Sequence, residues 1–364
     1  MRVLKWVLTL LILSQLPFCF QLYRSRSLSQ YLRERMLPEA GVETPFADWR
    51  GGVHVHSAAG GHSLGTYYEI LEAARQCRYD FVFIAEHPRP PLFVRITDPD
   101  IVMAYGWERE LTGGLRIITD DHETLKVLTH FDGESIPEGY DGLEIINLHE
   151  AGQESDNWFN RLNFIYHQFA YTDLFFFHLW DLNRQRVELW DETLKRRPLV
   201  AFAGNDAHQN VGLIIRTADG KELFTLLVDP YPSSLCFVTT HLQLERGMDL
   251  NEETVIGHLK RGAFYLSMEQ ICDPTGFSFH AVHDGRTYQM GSRVPRGADL
   301  VFQAPLEVRF LLYQSGELFK ELEGTRFVLE GAEVGYYRVE VYPLDPPGLL
   351  AGYPWILSNA IYVE

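Results

Sequence analysis

Between Trp49 and Cys272 one pattern recurs: a short apolar run, with a histidine or carboxylate at or just beyond its end. Val53–His56, Phe81–Ala85, Ile101–Tyr105, Leu143–Ile146, Leu174–Phe177 and Leu199–Ala203 all read as strands. Helical spacing lies between some of them, as in Thr66–Cys77, where Ile70, Ala74 and Cys77 share a face. Such β/α alternation predicts an α/β protein with a parallel, barrel-like sheet. Sites in such sheets open where strands end, so the polar residues at that register constrain fold and chemistry together.

The first run carries His54 and His56 on alternate positions, so both imidazoles should project from one face of a strand, ~7 Å apart. An isolated pair of this kind is ordinarily a hydrogen-bonded pair of core histidines. The pattern is repeated, however, by Glu86 and His87 after Phe81–Ala85, by Glu108, by His130, and by Asp206 and His208 after Leu199–Ala203. His62 follows the first run in a glycine-rich loop. Imidazoles mixed with carboxylates suit Zn, Mn or Fe rather than Mg or Ca. His122 and His149 lie near other run ends and are weaker candidates, while His178 ends Phe175–Phe177 as a ligand or proton donor. His167, His241, His258, His280 and His283 read as ordinary structural histidines.

Gly61-His62-Ser63-Leu64-Gly65 matches the nucleophile elbow of serine hydrolases, but only one strand precedes Ser63, and no histidine stands in distinctive surroundings to serve it. The simpler reading is a glycine-rich loop presenting His62. No phosphate-binding loop or dinucleotide fingerprint is present, so nucleotide cofactors lack support.

Trp6 to Leu22 is apolar and flanked by Arg2, Lys5, Arg24 and Arg26, the pattern of a signal peptide or membrane anchor. No small-residue cleavage box follows, which favours an uncleaved anchor and an exported, extracytoplasmic location. The expected organisation is a signal or anchor over 1–22, a linker over 23–48 broken by Pro38, Gly41 and Pro45, a barrel over 49–272 and a β-sandwich over 273–364. The last rests on closely spaced β-like segments after Pro274, from Phe277–His283 to Gly335–Tyr342. With 49 acidic against 32 basic residues the chain repels nucleic acid, which leaves a small molecule as the expected substrate. Protein partners are not legible. Four scattered cysteines leave the redox compartment open.

Taken in order, His54-Val55-His56, Ile84-Ala85-Glu86-His87, Gly106-Trp107-Glu108, Gly142-Leu143-Glu144-Ile145-Ile146-Asn147 and Gly204-Asn205-Asp206-Ala207-His208 resemble the PHP (polymerase and histidinol phosphatase) superfamily. The C-terminal texture around Tyr336–Glu340 and Pro354–Tyr362 is similar to its carbaryl-hydrolase-like branch. The resemblance spans about Trp49 to Glu364 and implies a distorted (β/α)7 barrel holding two or three divalent ions, Zn, Mn or Fe. His54, His56, His62, His87, Glu108, His130, Asp206 and His208 match the ligand positions, with Glu108 bridging. Two departures stand out: Glu86 replaces the commoner Asp, and Gly113-Gly114-Leu115 lacks an expected Gly-His, whose ligand His122 would have to supply.

The expected activity is metal-dependent hydrolysis, first of all of phosphoesters by a metal-bridged hydroxide, with Asp206 essential to catalysis and His178 or His149 protonating the leaving group. Arg184 or Arg216 would grip an anionic substrate. Alternatives are a carboxyl-ester, carbamate or amide hydrolase on the same ions, and a non-catalytic surface-binding module.

Overall fold

A computed structural model describes residues 2–61, 63–88, 95–168, 170–210, 212–217, 219, 222–227 and 229–364. The first element, α1 (Arg2–Arg35), runs straight through the position where a linker is expected. The breakers Pro38, Gly41 and Pro45 all lie beyond Arg35, and residues 23–35 contain neither proline nor glycine. Its first half is exposed and apolar, with Trp6, Leu11 and Ile12 open to solvent, and the helix is long and apolar enough to cross a membrane. Its second half is different: Ser25 and Leu28 are fully buried against the rest of the protein.

The chain then alternates through β1 (Phe46–Val55), α2 (Tyr67–Gln76), β2 (Phe81–Glu86), β3 (Val102–Glu110), β4 (Arg116–Asp120), β5 (Lys126–Thr129) and β6 (Gly142–Asn147). Helices α3 (Leu148–Glu154), α4 (Trp158–His167) and α5 (Arg184–Leu194) lead to β7 (Val200–Gly204). Strands β1, β2 and β3 pair in parallel, as do β5, β6 and β7, while β4 is antiparallel to both β3 and β5. The ends of this ladder meet: Asn205 N donates to Val53 O at 3.0 Å, His56 N donates to Ala207 O at 3.1 Å, and Val55 bridges Ala207. Thr66 and Glu69 form a capping box that starts α2, which buries Ile70, Leu71, Ala73 and Ala74.

One expected strand is absent. Leu174–Phe177 belongs to a 3-10 segment, Thr172–His178, whose four consecutive buried residues pack on more than one side instead of lining one sheet face.

A separate hairpin, β8 (Gly212–Arg216) with β9 (Glu222–Leu227), precedes α6 (Tyr231–Leu235), β10 (Thr239–Glu245), α7 (Glu252–Arg261) and β11 (Phe264–Ser267). The remaining strands are β12 (Ser278–His283), β13 (Arg286–Gln289), β14 (Arg293–Val294), β15 (Asp299–Gln314), β16 (Glu317–Leu329), β17 (Gly335–Tyr342), β18 (Ile356–Ser358) and β19 (Ile361–Val363). Two runs expected as separate strands, around Leu300 and Leu306, form the single long β15.

Hydrogen bonding joins the regions that the sequence divides at Pro274. Strand β10 pairs with β1 on one side and β11 on the other, and Tyr265–Ser267 of β11 pair with Ile356–Ser358 of β18. The result is a mixed α/β protein built on a large continuous sheet. Its main core is shared accordingly, running from Phe81, Phe83 and Phe202 through Phe264 and Phe277 to Phe302 and Phe310. A smaller core lies on the other side of β1 and β2, where Ile70, Ala74, Ile84, Tyr105 and Tyr231 meet. There α2 is joined to the end of α6 by a disulfide, Cys77–Cys236, a pairing that spacing along the chain does not reveal.

Candidate metal centre

The ligand-type residues converge because of where the strands end and how they are distorted. Within β1 the pairing with β2 shifts register between Val53 and Val55, and His54 has φ of 65°. This bulge brings the His54 and His56 rings to 4.9 Å, closer than regular strand alternation predicts. His130, just past β5, and Asp206, just past β7, also have positive φ, 49° and 45°. Three residues of one cluster therefore hold a conformation that costs non-glycine residues energy, as functional sites often do. Glu108 comes from the body of β3, which continues to Glu110 instead of stopping where the apolar run does.

Two carboxylates occupy the centre. Oε2 of Glu108 lies 3.0 Å from His87 Nε2, 3.5 Å from His56 Nε2 and 3.6 Å from His54 Nε2, while its Oε1 lies 3.6 Å from His130 Nε2. Oδ1 of Asp206 is 3.2 Å from His56 Nε2 and 3.4 Å from His54 Nε2, and its Oδ2 is 3.3 Å from His130 Nε2. Each carboxylate thus faces different histidines with its two oxygens. Three overlapping sets, His54–His56–Asp206, His54–Glu108–His130 and His56–His87–His208, have donor atoms all within 4.8 Å of one another.

The site passes a direct test of fit to a cation. His54 Nε2, Glu108 Oε1 and Asp206 Oδ1, from residues of these overlapping sets, are buried and have no hydrogen-bond partner among the described residues. Orphaned polar atoms are costly in a folded protein unless something else satisfies them. Imidazole and carboxylate donors suit a borderline divalent ion, which would coordinate those lone pairs.

The surroundings fix which atoms point inward. His54 Nδ1 donates to Glu144 Oε1 at 2.8 Å, which leaves the Nε2 lone pair for the centre. Glu144 in turn accepts from Asn147 Nδ2 at 2.8 Å and from Thr129 Oγ1. A Cβ at Gly204 would fall 1.7 Å from Glu144 Oε1, so glycine is required at the end of β7 to admit that carboxylate. His208 Nδ1 donates to the Asp206 carbonyl at 2.7 Å, and Asn147 Nδ2 donates to Asp206 Oδ2 at 3.1 Å. Glu144 stands in the Gly142–Asn147 motif of the resemblance, but no role at the site was expected of it.

Charge follows the same layout. Burial works against the His54 cation, but Asp206, Glu144 and Glu108 outweigh it and hold this imidazole well above its ordinary range. Burial likewise opposes ionisation of Asp206, yet His54, His130 and His56 hold it well below the usual carboxylate range. Burial and the neighbouring His56 push His208 down to about 2.

The cluster floors a cleft of about 450 Å3 whose other walls include Arg109, Arg116, His149 and Gln153. Neither Arg109 nor Arg116 was expected there. Arg109 pairs with Glu123 at 2.5 Å, and Arg116 is exposed at the cleft wall.

Several expectations are corrected. His178 is not in the cleft: its Nε2 hydrogen-bonds Ser25 Oγ of α1 at 2.7 Å, and its ring lies 4.7 Å from His167. Arg184 is committed to Glu340, at 3.1 Å, and to Tyr342, so it grips no substrate here. His122 sits on an exposed turn and joins none of the three donor sets. The nucleophile elbow, disfavoured from the sequence, gains no support: Ser63 is buried, with its hydroxyl 2.5 Å from the His208 carbonyl and 3.0 Å from Tyr231, and among the described residues no imidazole hydrogen-bonds it as a base. Glu86 turns aside to accept hydrogen bonds from Ser57. His62 and the Arg216 side chain lie outside the described residues.

No protein-family model matches the chain, and no curated protein does. Among solved structures it is similar to a two-domain protein from Bacteroides vulgatus containing a predicted PHP-like metal-dependent phosphoesterase. The two are 12% identical, the likeness covers 90% of this chain and 98% of the other, and the TM-score is 0.36, too low to assign fold or chemistry.

Proposed function

We propose that this chain is a PHP-type metal-dependent hydrolase of phosphoesters, with β1–β7 arranged as a distorted (β/α)7 barrel and the strands from β12 onward as an accessory sandwich. One observation carries the reading: orphaned, buried His54 Nε2, Glu108 Oε1 and Asp206 Oδ1 converge at the floor of an open cleft. The ligands would be His54, His56, His87, Glu108, His130, Asp206 and His208, with His62 as a further candidate. Divalent ions bound there would polarise a phosphoryl oxygen and make water nucleophilic near neutral pH.

The chain's own residues supply the rest. Glu108 and Asp206 each offer oxygens to two sides of the centre, which suits a pair of ions held close together. Arg116 at the cleft wall would bind the non-bridging oxygens of an anionic ester. His149, in the same wall with its ring 4.7 Å from His208, takes the place expected of His178 as proton donor to the leaving oxygen.

The membrane-spanning potential of α1 and the Cys77–Cys236 bridge support an anchored protein facing an oxidising, extracytoplasmic compartment.

Elemental analysis of the purified chain should find two or more equivalents of Zn, Mn or Fe, lost in His54→Ala/Asp206→Ala together with phosphoester hydrolysis. Arg116→Ala should raise KM for phosphoesters roughly tenfold or more, the worth of a charge-assisted hydrogen bond. Absence of metal after reconstitution, or turnover of carboxyl esters and carbamates alone, would overturn the proposal.

A further inference from the structure

A second cavity, of about 540 Å3, adjoins the metal cleft and shares His149, Gln153 and Asp206 with it. Its character is opposite to that of the cleft. Leu148, Phe164, Ile165, Phe175, Phe176 and Leu179 form much of its wall. The volume is typical of pockets that enclose the apolar part of a small ligand. Gly152 of α3 also lines it, and a Cβ there would meet nothing within 4 Å.

The outer wall of this cavity is α4, which is amphipathic in an unusual sense. Its inner side supplies Phe164. Its outer side carries Trp158 and Leu162, 71% and 40% exposed, and Ile165, 43% exposed, stands at the rim between this side and the cavity; the three follow i, i+4, i+7 spacing along one stripe. Isolated exposed apolar residues need no explanation, but a stripe beside an exposed apolar helix does. The two are in contact: Phe18 of α1 stacks on Phe159 and Tyr166 of α4, with ring centroids at 5.1 and 4.7 Å, and Tyr166 hydrogen-bonds Gln15. Gln15 lies about 10 Å along the helix from Leu22, where the apolar run ends. With that run in a bilayer, α4 falls at the depth where interfacial helices bury their apolar faces, about 5–10 Å below the headgroup boundary.

We propose that the substrate is a membrane-resident amphiphile: a phosphoester whose alkyl or acyl chain enters the apolar cavity while its phosphate sits over the metal ligands, with the outer stripe of α4 resting on the bilayer. This rests on the hydrolase reading above and narrows its substrate class. Hydrolysis would break the phosphorus–oxygen bond on the chain-bearing side. The oxygen of water goes to phosphorus, and the departing oxygen leaves with a proton as an alcohol.

The test uses the metal-loaded full chain in phosphatidylcholine nanodiscs, titrated calorimetrically with methyl, butyl and octyl phosphate. Affinity should rise by up to about fourfold per methylene until the cavity is filled. Gly152→Phe, which fills the cavity, should collapse the octyl-to-methyl ratio to within about threefold. Partitioning of the ligands into the disc is common to both proteins and cancels in that comparison. Equal affinity for methyl and octyl phosphate in the wild type, or an unchanged ratio in Gly152→Phe, would overturn the proposal. Binding needs no turnover, so hydrolysis of the same esters, followed in parallel, judges the hydrolase reading separately. For the docking face, a Trp6→Phe chain, which lacks the tryptophan of the apolar run itself, should lose much of its quenchable tryptophan emission in vesicles of brominated phosphatidylcholine when Trp158→Phe is added. Equal quenching in both proteins would remove the bilayer from the proposal and leave a soluble amphiphile.

Discussion

Glu144 is fully buried and accepts a hydrogen bond from His54 Nδ1 at 2.8 Å, so its work is to orient a ligand from behind. Partners of this kind typically change metal affinity by about 10–100-fold when altered. Glu144→Gln keeps the shape but lets an amide nitrogen face His54, which favours the wrong tautomer. The expected outcome is a loss of metal affinity in that range, read by competition with a chelator, with the secondary structure unchanged by circular dichroism. The ligand types were legible because histidines and acids at strand ends are conspicuous against apolar runs. The partner was not, because a lone carboxylate in Gly142–Asn147 gains meaning only once β6 lies beside β7 and faces His54. His178 failed for the opposite reason: it follows an apolar run like the others, but that run is a 3-10 segment turned toward α1.

Docking of α1 is the element-scale feature that local patterning missed. The apolar stretch to Leu22 was plain, but burial of Ser25 depends on His167 and His178, more than a hundred residues away in the chain. Ser25 Oγ bridges His167 Nε2 at 2.9 Å and His178 Nε2 at 2.7 Å. Burial, then the nearby His167 and Arg24, lower His178 to about 3, and burial also lowers His167. The sign of the pH effect follows. Undocked, these imidazoles take up protons as pH falls through about 6.5, whereas docked they do not, so docking is fully stable above that value and weakens from there down to about 3. Ser25→Ala removes the bridge and leaves both ring nitrogens facing apolar surface, at a cost of about 1–3 kcal/mol. Limited proteolysis within residues 23–36 should therefore accelerate between pH 6.5 and 4, and Ser25→Ala should be cleaved faster already at pH 7.5. Insensitivity to both would mean that α1 is not held by this cluster.

At the scale of the whole molecule, the alternating β/α stretch was legible from periodicity, whereas the union of its sheet with the C-terminal strands was not. The pairing of Tyr265 with Ser358 is specified by shape and burial across nearly a hundred residues, and no local pattern encodes it. Beside this junction lies a buried charged cluster tying β1 to β10 and to the turn after β11. His241 Nδ1 is 2.9 Å from Asp48 Oδ1, its Nε2 is 3.2 Å from Glu269 Oε2, and Arg50 bonds Glu269 at 2.9 Å and Asp273 at 2.8 Å. Burial opposes the His241 cation, but Asp48 and Glu269 outweigh it and raise the imidazole to about 9. The native state therefore keeps a proton that the unfolded chain releases near 6.5. Stability from this pair is fully present below about 6.5 and is lost as pH rises through about 9, on the order of 3 kcal/mol in all. Urea unfolding at pH 6, 7.5 and 9.5 should show that decline. His241→Gln should be less stable at pH 6 and nearly flat across the same range, because an amide partners Asp48 without titrating. A mutant that keeps the wild-type slope would place the titrating group elsewhere and leave the cluster as neutral packing between the two parts of the sheet.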